Sequence, residues 1–398
     1  MTELLARALP SHSVTLQPTL DRATSALNAW VEVDLGAAAA NVAALRATLG
    51  RRVEIIAVVK ANAYGAGLGL VPALAAADVD RFAVVWASEA IALRRLGVRR
   101  PILVLGHCFP DDADSLVEHD ITVTVDTLEL GQALSAAAVR AGRAAKVHIH
   151  IDSGLHRDGL APDEGVALAG RLRALPALDL EGLSTHMANA DEPDDAFSAG
   201  QHQVFGEVVR RLPWIRYRHS ANTATALRHG EFRFEGVRVG LALHGVLPQN
   251  TPGSQLRPIL SVHARVARVA DVAVGEGVSY GLTWRAAVPS RVALIPVGYA
   301  DGWRRNLGNR GAVLVAGRRC PMVGRVCMDQ FLVDVTALPA VLPGDEAVLL
   351  GSQGPEEITA DEVAEAAGTI PWDIFASLQA RLPRLYHRAG RVEQVVGA

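Results

Sequence analysis

Lysine is the scarcest charged residue of this chain. Only Lys60 and Lys146 occur among 398 residues, and arginine supplies every other basic side chain. Codon bias in a GC-rich genome accounts for such a ratio without any functional meaning. The scarcity nevertheless restricts any chemistry that depends on a lysine amine to two positions.

Cysteine and long apolar runs are also scarce. Cys108, Cys320 and Cys327 form an odd set without the spacing of a disulfide framework, which predicts reduced thiols in a cytoplasmic protein. No apolar run approaches the ~20 residues of a membrane helix. No basic segment leads into an apolar one after Met1, so we expect no signal peptide. The net charge of −3 gives no sign of a nucleic-acid partner or an anionic membrane surface.

The chain is longer than one hydrophobic core requires, and its pattern changes near residue 255. Residues 1–27 show no clear period and are predicted to form a loosely held extension. In residues 28–255, short apolar runs alternate with alanine- and arginine-rich segments such as Ser88–Leu96, Leu128–Ala141, Asp163–Ala174 and Ala199–Arg211. The predicted strands are Val53–Val59, Arg81–Trp86, Ile102–Leu105, Ile121–Val125, Val147–Ile151, Leu180–Ser184, Tyr217–Ser220 and Val237–Leu241. This α/β alternation predicts an N-terminal (β/α)8 TIM-type barrel, with an open doubly wound sheet as the alternative.

Residues 256–398 follow a different pattern, which predicts a C-terminal, mostly β domain. Strands punctuated by glycine and proline are expected at Ser261–Val272, Arg291–Val297, Gly311–Val315, Gln330–Val335 and Ala347–Leu350. Helical segments return only at Thr359–Ala367 and Trp372–Arg381.

Polar residues follow several predicted barrel strands where each strand ends. Lys60 follows the apolar run Ile55–Val59, and barrel enzymes place their active sites at the carboxyl ends of their strands. Desolvation there lowers the pKa of an amine and frees its lone pair, although a lysine that simply extends into solvent is an equal alternative. The other strand-end candidates are His186, Asn222, Thr223, Arg238, Gly240 and Leu241, together with Arg157 in a loop. Each of these alone is usually structural, and their common location is what favours function.

The tyrosines are few and unusually placed. Of five, Tyr64, Tyr280, Tyr299 and Tyr386 stand in glycine- or arginine-rich loop contexts instead of core runs. A single tyrosine is usually an amphipathic packing residue. The distribution of these four modestly favours a functional role.

A set of motifs in register resembles one known family. The stretch Ala57–Gly65, around Lys60, is similar to the cofactor-lysine motif of alanine racemases. The resemblance covers about residues 29–390. It continues through Asp152–Arg157, Thr185-His186, Asn222-Thr223, Arg238–Gly245, Ser279–Gly281, Gly298–Trp303, Gly324–Gln330 and Arg381–Tyr386. It implies a homodimeric isomerase in which a barrel domain and a β domain from two subunits build each active site.

The resemblance also implies a role for each residue. Lys60 holds pyridoxal 5′-phosphate as an imine, and Lys60 and the partner's Tyr280 are the two bases that convert L-alanine to D-alanine, one on each face of the substrate. The cofactor-binding set is Lys60, Tyr64, His186, Asn222, Thr223, Arg238, Gly240, Leu241 and Tyr386. Arg157 and the backbone of Met328 receive the carboxylate of the small amino-acid substrate, and Tyr299 and Arg305 line its entrance.

The chain departs from the family pattern at several positions. Many members carry a carbamylated lysine where this chain has His150, and a tyrosine is common where it has His244. These changes leave a racemase for serine or another small amino acid as an alternative. His148 and His150 share a strand face with H-x-H spacing, which motivates a metal-dependent barrel hydrolase as a rival class. A non-catalytic pyridoxal-phosphate-binding protein is a third reading, and the full β domain with Tyr280 argues against it.

Overall fold

A closed barrel of parallel strands occupies the first part of the molecule. The computed structural model describes residues 19–252 and 256–397. After the strand β1 (Ala29–Asp34) come the barrel strands β2 Glu54–Val58, β3 Arg81–Val84, β4 Ile102–Val104, β5 Thr122–Thr124, β6 Ala145–His150, β7 Leu178–Ser184, β8 Tyr217–His219 and β9 Gly236–Val239. They pair in chain order, and β2 pairs with β9. A parallel bridge between Asn222 and Arg238 closes the ring between β8 and β9. The barrel prediction is therefore confirmed, and the open-sheet alternative is wrong.

Helices precede and connect the barrel strands. They are Leu35–Leu49, Val71–Ala76, Ala87–Arg95, Ala113–Glu118, Leu128–Ala141, Pro162–Leu172, Ala196–Arg211 and Thr223–Arg228. Several begin at side-chain caps: Asp34, Thr127 and Asn222 each accept a backbone N–H of the first turn. Four of these helices lie within a few residues of the segments that their sequence period predicts.

The second sheet carries the rest of the fold. Its strands are β10 Leu260–Arg265, β11 Arg268–Val272, β14 Ser290–Ile295, β15 Ala312–Val315, β16 Arg318–Val323, β17 Phe331–Asp334, β18 Glu346–Gln353, β19 Glu356–Ile358, β20 Arg384–Arg388 and β21 Arg391–Val396. A separate hairpin pairs β12 Gly277–Val278 with β13 Trp284–Arg285. Two helices, Ala360–Ala367 and Pro371–Ser377, precede β20. The run predicted as the single strand Ser261–Val272 is two strands, and the predicted helix Trp372–Arg381 ends four residues early.

Strand β1 belongs to this second sheet, although the sequence-based division placed it with the barrel. It pairs antiparallel with β10 and parallel with β20, with Val31 opposite Val262 and Val33 opposite Tyr386. An apolar strand is equally suited to either sheet, so its order in the chain did not reveal its partners. The limits of the domains otherwise stay a prediction.

The part of the N-terminal extension that the structure describes is held in place. The helix Leu20–Thr24 packs beside Trp30, Leu385 and Val392, and the Leu20 N–H donates to the Gly390 carbonyl at 3.3 Å. The expectation of a loosely held segment is therefore wrong for residues 19–27, and residues 1–18 lie outside the described residues. Within residues 19–252 and 256–397, no helix is long and apolar enough to cross a membrane.

The two parts share one hydrophobic core and meet directly below the turn that follows Lys60. A Cβ atom on Gly65 would lie 1.9 Å from the Phe375 carbonyl oxygen, so only glycine allows this approach. Arg384 donates to the carbonyl of Gly65 at 3.0 Å and to that of Leu378 at 2.8 Å. The second domain thus supports the loop that carries the lysine.

Candidate active site

A cavity of about 760 Å³ opens at the carboxyl ends of the barrel strands. Each of the eight strands contributes to its wall, either directly or through the residues that follow it. The sequence-predicted residues that line it are Lys60, Tyr64, Arg157, His186, Asn222, Thr223, Arg238, Gly240 and Leu241. The shared location that the sequence suggested for these residues is therefore present in the fold.

Lys60 is partly buried in the cavity wall and is electrostatically perturbed. Burial lowers the pKa of its amine, and the positive charge of Arg157 lowers it further. Glu89 and Asp158 act in the opposite direction without cancelling the effect. The amine is therefore more readily deprotonated than an ordinary lysine, as a nucleophile or base requires.

A left-handed turn of residues other than glycine follows Lys60. Residues 61–64 have φ between 51° and 55°, a region that costs roughly 1–2 kcal/mol for each such residue. Glu89 supports the turn, because its carboxylate accepts the Ala61 N–H at 2.7 Å. The Ala63 carbonyl lies 3.0 Å from Nε2 of the buried His244. The turn directs the Tyr64 side chain into the barrel, where burial raises the pKa of its hydroxyl to about 12.

Arg238 is the buried cation at the base of the site. Its Nη1 donates to Nδ1 and to the carbonyl of His219, each at 2.7 Å. Its Nη2 donates to the carbonyls of Thr185 and Ser220 at 2.7 and 2.9 Å and to His186 Nδ1 at 3.1 Å. Burial lowers the pKa of Arg238 to about 10, so the guanidinium is still charged near neutral pH. None of these bonds uses Nε, which leaves one donor for a ligand.

The contacts of Arg238 fix the tautomers of a line of histidines. Because His219 Nδ1 accepts from Arg238, the proton of the neutral ring lies on Nε2 and is donated to His148 Nδ1 at 2.9 Å. His148 in turn donates from Nε2 to Glu181 at 3.1 Å. Burial lowers the pKa of both rings and keeps them neutral. Burial alone would raise the pKa of Glu181, but its bonds with His148 and Arg81 lower it to about 2.

Four residues from the sequence-predicted set do not face the cavity of their own chain. Tyr386 is buried, and its hydroxyl donates to the Ala66 carbonyl at 3.0 Å, outside the cavity wall. Tyr280, Tyr299 and Met328 lie on the second domain with 72%, 43% and 54% of their surface exposed. The Ser279 hydroxyl donates to the Arg325 carbonyl, and the Tyr299 N–H donates to that of Cys327, so these segments adjoin one another.

Two residues that support the site carried no recognisable signal in the sequence. Glu89 holds the turn after Lys60 from a different strand–helix unit, and Asp158 contacts Arg157.

His148 and His150 do share the barrel interior. Within the described ranges, however, no group of three or more His, Cys, Asp and Glu side chains is arranged to hold a metal ion.

Comparison with known proteins identifies the family. The model of the N-terminal domain of alanine racemase matches residues 33–248, and that of the C-terminal domain matches residues 259–386. The chain belongs to the alanine racemase family. The curated alanine racemases of Symbiobacterium thermophilum and Halothermothrix orenii are 41% and 38% identical to it, each over 90% of this chain and 96% of its own length.

Solved structures of alanine racemases share the fold. The Bacillus anthracis enzyme with bound L-Ala-P superposes with a TM-score of 0.87 at 38% identity, over 93% of this chain and 97% of its own. The enzyme from D-cycloserine-producing Streptomyces lavendulae gives 0.85 at 36% identity, over 90% and 97%. The family, the barrel with its β domain, the isomerase class and the pyridoxal phosphate cofactor are thereby confirmed, and neither the hydrolase nor the carrier is favoured.

The residues of this family member fit pyridoxal phosphate. The cavity is lined by Lys60 with its perturbed amine, by the cation Arg238, and by Tyr64 and Thr223, which carry hydroxyls. Gly240 is required in the wall, since a Cβ atom there would lie 2.4 Å from the Tyr64 hydroxyl oxygen. The amine of Lys60 suits the aldehyde of the cofactor, and the buried cation Arg238 suits its pyridine nitrogen. The neutral hydroxyl donors suit its phosphate.

Proposed function

We propose that this protein interconverts L- and D-alanine as a homodimer in the cytoplasm, with Lys60 and Tyr280 of the partner subunit as its two bases. The observation that carries the proposal is the perturbed Lys60 inside a cavity that all eight strands line, in a chain that matches alanine racemases along both domains. The three cysteines, all unpaired, agree with a reducing compartment.

Bound pyridoxal phosphate supplies an electron-withdrawing ring that acidifies the Cα–H bond of an attached amino acid. Racemisation then needs a proton to leave one face of Cα and a proton to return on the other. A side chain fixed on one face of Cα does not easily reach the other, so the proposal assigns one group to each face. Lys60 Nζ exchanges the proton on the D-face, and the hydroxyl of Tyr280 of the partner subunit exchanges it on the L-face.

The remaining residues bind and orient the ligands. Tyr64, Thr223, Gly240 and Leu241 hold the phosphate, with Asn222 beside them. Arg238 faces the pyridine nitrogen, and His186 supports Arg238 through the 3.1 Å bond. As a permanent cation, Arg238 is a poor proton donor to that nitrogen. Tyr386 completes the predicted phosphate-binding set, and in this structure its hydroxyl donates to the Ala66 carbonyl at 3.0 Å.

Arg157 and the Met328 backbone receive the substrate carboxylate, while Tyr299 and Arg305 line the entrance. Arg157 belongs to the barrel, whereas the other three belong to the second domain, where Tyr280, Tyr299 and Met328 are exposed. Large exposed aromatic and apolar side chains that adjoin one another are typical of a surface that a partner covers. A two-fold dimer would bring this surface to the cavity of the other chain.

Complementation between two inactive variants tests the proposal. Lys60→Ala and Tyr280→Phe chains would be co-expressed with different affinity tags, and the mixed dimer isolated and assayed with chiral detection of D-alanine. One of its two sites then pairs an intact Lys60 with an intact Tyr280, so we expect about half of the activity of the unmodified dimer. A mixed dimer no more active than dimers of either single variant would refute the shared site.

L-serine should be turned over more slowly than L-alanine.

A further inference from the structure

A short loop after β6 carries Arg157 to the edge of the cavity and holds it there. The Asp152 carboxylate accepts the N–H groups of Gly154 and His156 at 2.9 and 3.1 Å. Burial acts to raise the pKa of Asp152, but these backbone bonds together with the His156 side chain outweigh it, and the pKa is lowered overall. The loop closes where Asp152 N–H donates to the Leu160 carbonyl at 2.8 Å and Leu160 N–H to that of His150 at 3.0 Å.

Within this loop, the carboxylate of Asp158 lies between Arg157 and His150. The Arg157 Nε–H donates to Asp158 Oδ1 at 3.1 Å, and His150 Nε2 is 3.9 Å from the same oxygen. Gly159 makes this approach possible. Its φ is +96°, and a Cβ atom there would lie 2.8 Å from the His150 ring and 2.9 Å from the Asp152 nitrogen. All three side chains line the cavity that contains Lys60.

The charges around Arg157 leave Asp158 as its counterion. Lys60 and Arg238 are cations as well. Both lie near enough to His186 to lower its pKa, as Arg157 does. His150 Nδ1 forms a hydrogen bond with Ser184 Oγ at 2.8 Å. Burial lowers the pKa of the His150 ring to about 4, and the positive charge of Arg238 acts in the same direction. His150 is therefore neutral near neutral pH and supplies no charge. In the described part of the chain, Asp158 is the carboxylate that forms an ion pair with Arg157.

We propose that Asp158 is a positioning residue for the substrate carboxylate, acting through Arg157, with the neutral His150 ring closing the other side. The proposal rests on the function given above, in which Arg157 binds that carboxylate. Asp158 engages Nε, which lies on one edge of the guanidinium. The opposite, end-on edge of the guanidinium, formed by its two Nη groups, makes no bond with Asp158, and a carboxylate can engage that edge as a bidentate pair.

The pairing fixes the side chain before the substrate arrives. An arginine at a cavity rim has many rotamers, and ordering them opposes binding. A counterion bonded to Nε removes part of this freedom without occupying the substrate-binding edge, even though the pair is partly exposed. The neighbouring carboxylate also offsets the repulsion among Lys60, Arg157 and Arg238 when the site is empty.

Asp158→Asn in the holoenzyme tests this role, because it keeps the side-chain shape and removes the charge. We expect KM for L-alanine to rise about tenfold while kcat changes by less than about threefold, the pattern of lost ground-state binding. The dissociation constant of propionate, a carboxylate that cannot react, should rise to the same degree in calorimetric titrations. The absorption spectrum of the cofactor should not change.

Two further variants separate positioning from a general loss of structure. Asp158→Glu restores the carboxylate and should recover most of the affinity. Asp163→Asn makes the same charge change on an exposed helix start paired with Arg211, and should keep the parental KM. An Asp158→Asn enzyme with KM and propionate affinity within about twofold of the parent would overturn the inference. Failure of the proposed function itself would show differently, as a parent protein without racemase activity.

Discussion

The two halves of the proposed active site differ in how their side chains are held. In the barrel half, Arg238 is 5% exposed and makes five hydrogen bonds to its own chain. In the β-domain half, Tyr280 is 72% exposed. The contrast supports the proposal that the barrel binds the cofactor within one subunit, whereas Tyr280 and its exposed neighbours complete the site of a partner subunit. The predictions below address each half in turn.

Removal of Lys60 should have the largest effect, because it disables the barrel half. Lys60→Ala loses both the cofactor attachment and one base, and we expect kcat to fall by at least about 10⁴-fold. The visible band of the lysine-bound cofactor, and its loss on borohydride reduction, should disappear as well. Lys146→Ala is the matched control, since Lys146 is the only other lysine and is exposed on β6. Retention of measurable racemisation without Lys60 would remove the basis of the mechanism.

Removal of the Tyr280 hydroxyl should disable only the other half. For Tyr280→Phe we expect kcat to fall by roughly 10²- to 10⁴-fold, the usual contribution of one acid–base group. Cofactor absorbance should stay as in the parent, since Tyr280 is not among the residues proposed to hold the cofactor. A loss of activity smaller than about tenfold would mean that another group serves the L-face.

Interruption of the histidine line should lower stability. His219→Leu leaves His148 Nδ1 and one Arg238 donor without a partner in the barrel interior. We expect the free energy of unfolding to fall by about 1–3 kcal/mol for such an unpaired buried group. Urea denaturation at fixed protomer concentration measures it, and the exposed His107→Leu serves as control with a change within about 0.5 kcal/mol. Equal stability of the two variants would argue against a preorganised barrel half.

Mild acid should weaken the barrel half gradually. Burial lowers the pKa of His148, His186, His219 and His244, and with Arg238 it lowers that of His150 to about 4. A histidine whose pKa is lower in the folded protein than in the unfolded chain stabilises the fold fully at pH values above its unfolded pKa of about 6.5. This contribution to the free energy of unfolding is lost as the pH falls below that value. The loss is at most about 1.4 kcal/mol per pH unit for each histidine. Urea midpoints between about pH 8 and pH 5 measure it, and a midpoint that rises on acidification contradicts the assignment.

Local patterns in the sequence were enough to predict most of the fold and the barrel half of the site. The helix Leu128–Ala141 occurs with its predicted limits, and all eight barrel strands lie where apolar runs predicted them. Strand-end positions correctly grouped Lys60, Arg238 and their neighbours in one cavity. These features depend on short-range periodicity and on a general property of barrels, both of which are visible in one sequence.

Features that depend on contacts distant in sequence could not be predicted in the same way. Glu89 supports the turn after Lys60 from 28 residues away, and no residue pattern marks that contact. The resemblance implies a phosphate contact for Tyr386, which stays a prediction, but no sequence pattern predicted that its ring packs against Gly67 and Gly69 and that its hydroxyl bonds to Ala66. Spacing within a motif does not specify which way a side chain points.

Strand β1 has a consequence for synthesis of the protein on the ribosome. Its sheet partners, β10 and β20, begin at Leu260 and Arg384, so the whole barrel is translated between β1 and its first partner. At about 5–20 residues per second, translation of the residues between β1 and β10 takes roughly 10–45 s, and the hydrogen-bonding edges of β1 are unpaired during that time. During that interval the nascent barrel can close while the β domain cannot, since every other strand of its sheet follows the barrel in the sequence. The β domain, with the surface proposed to face the partner subunit, therefore forms after the barrel.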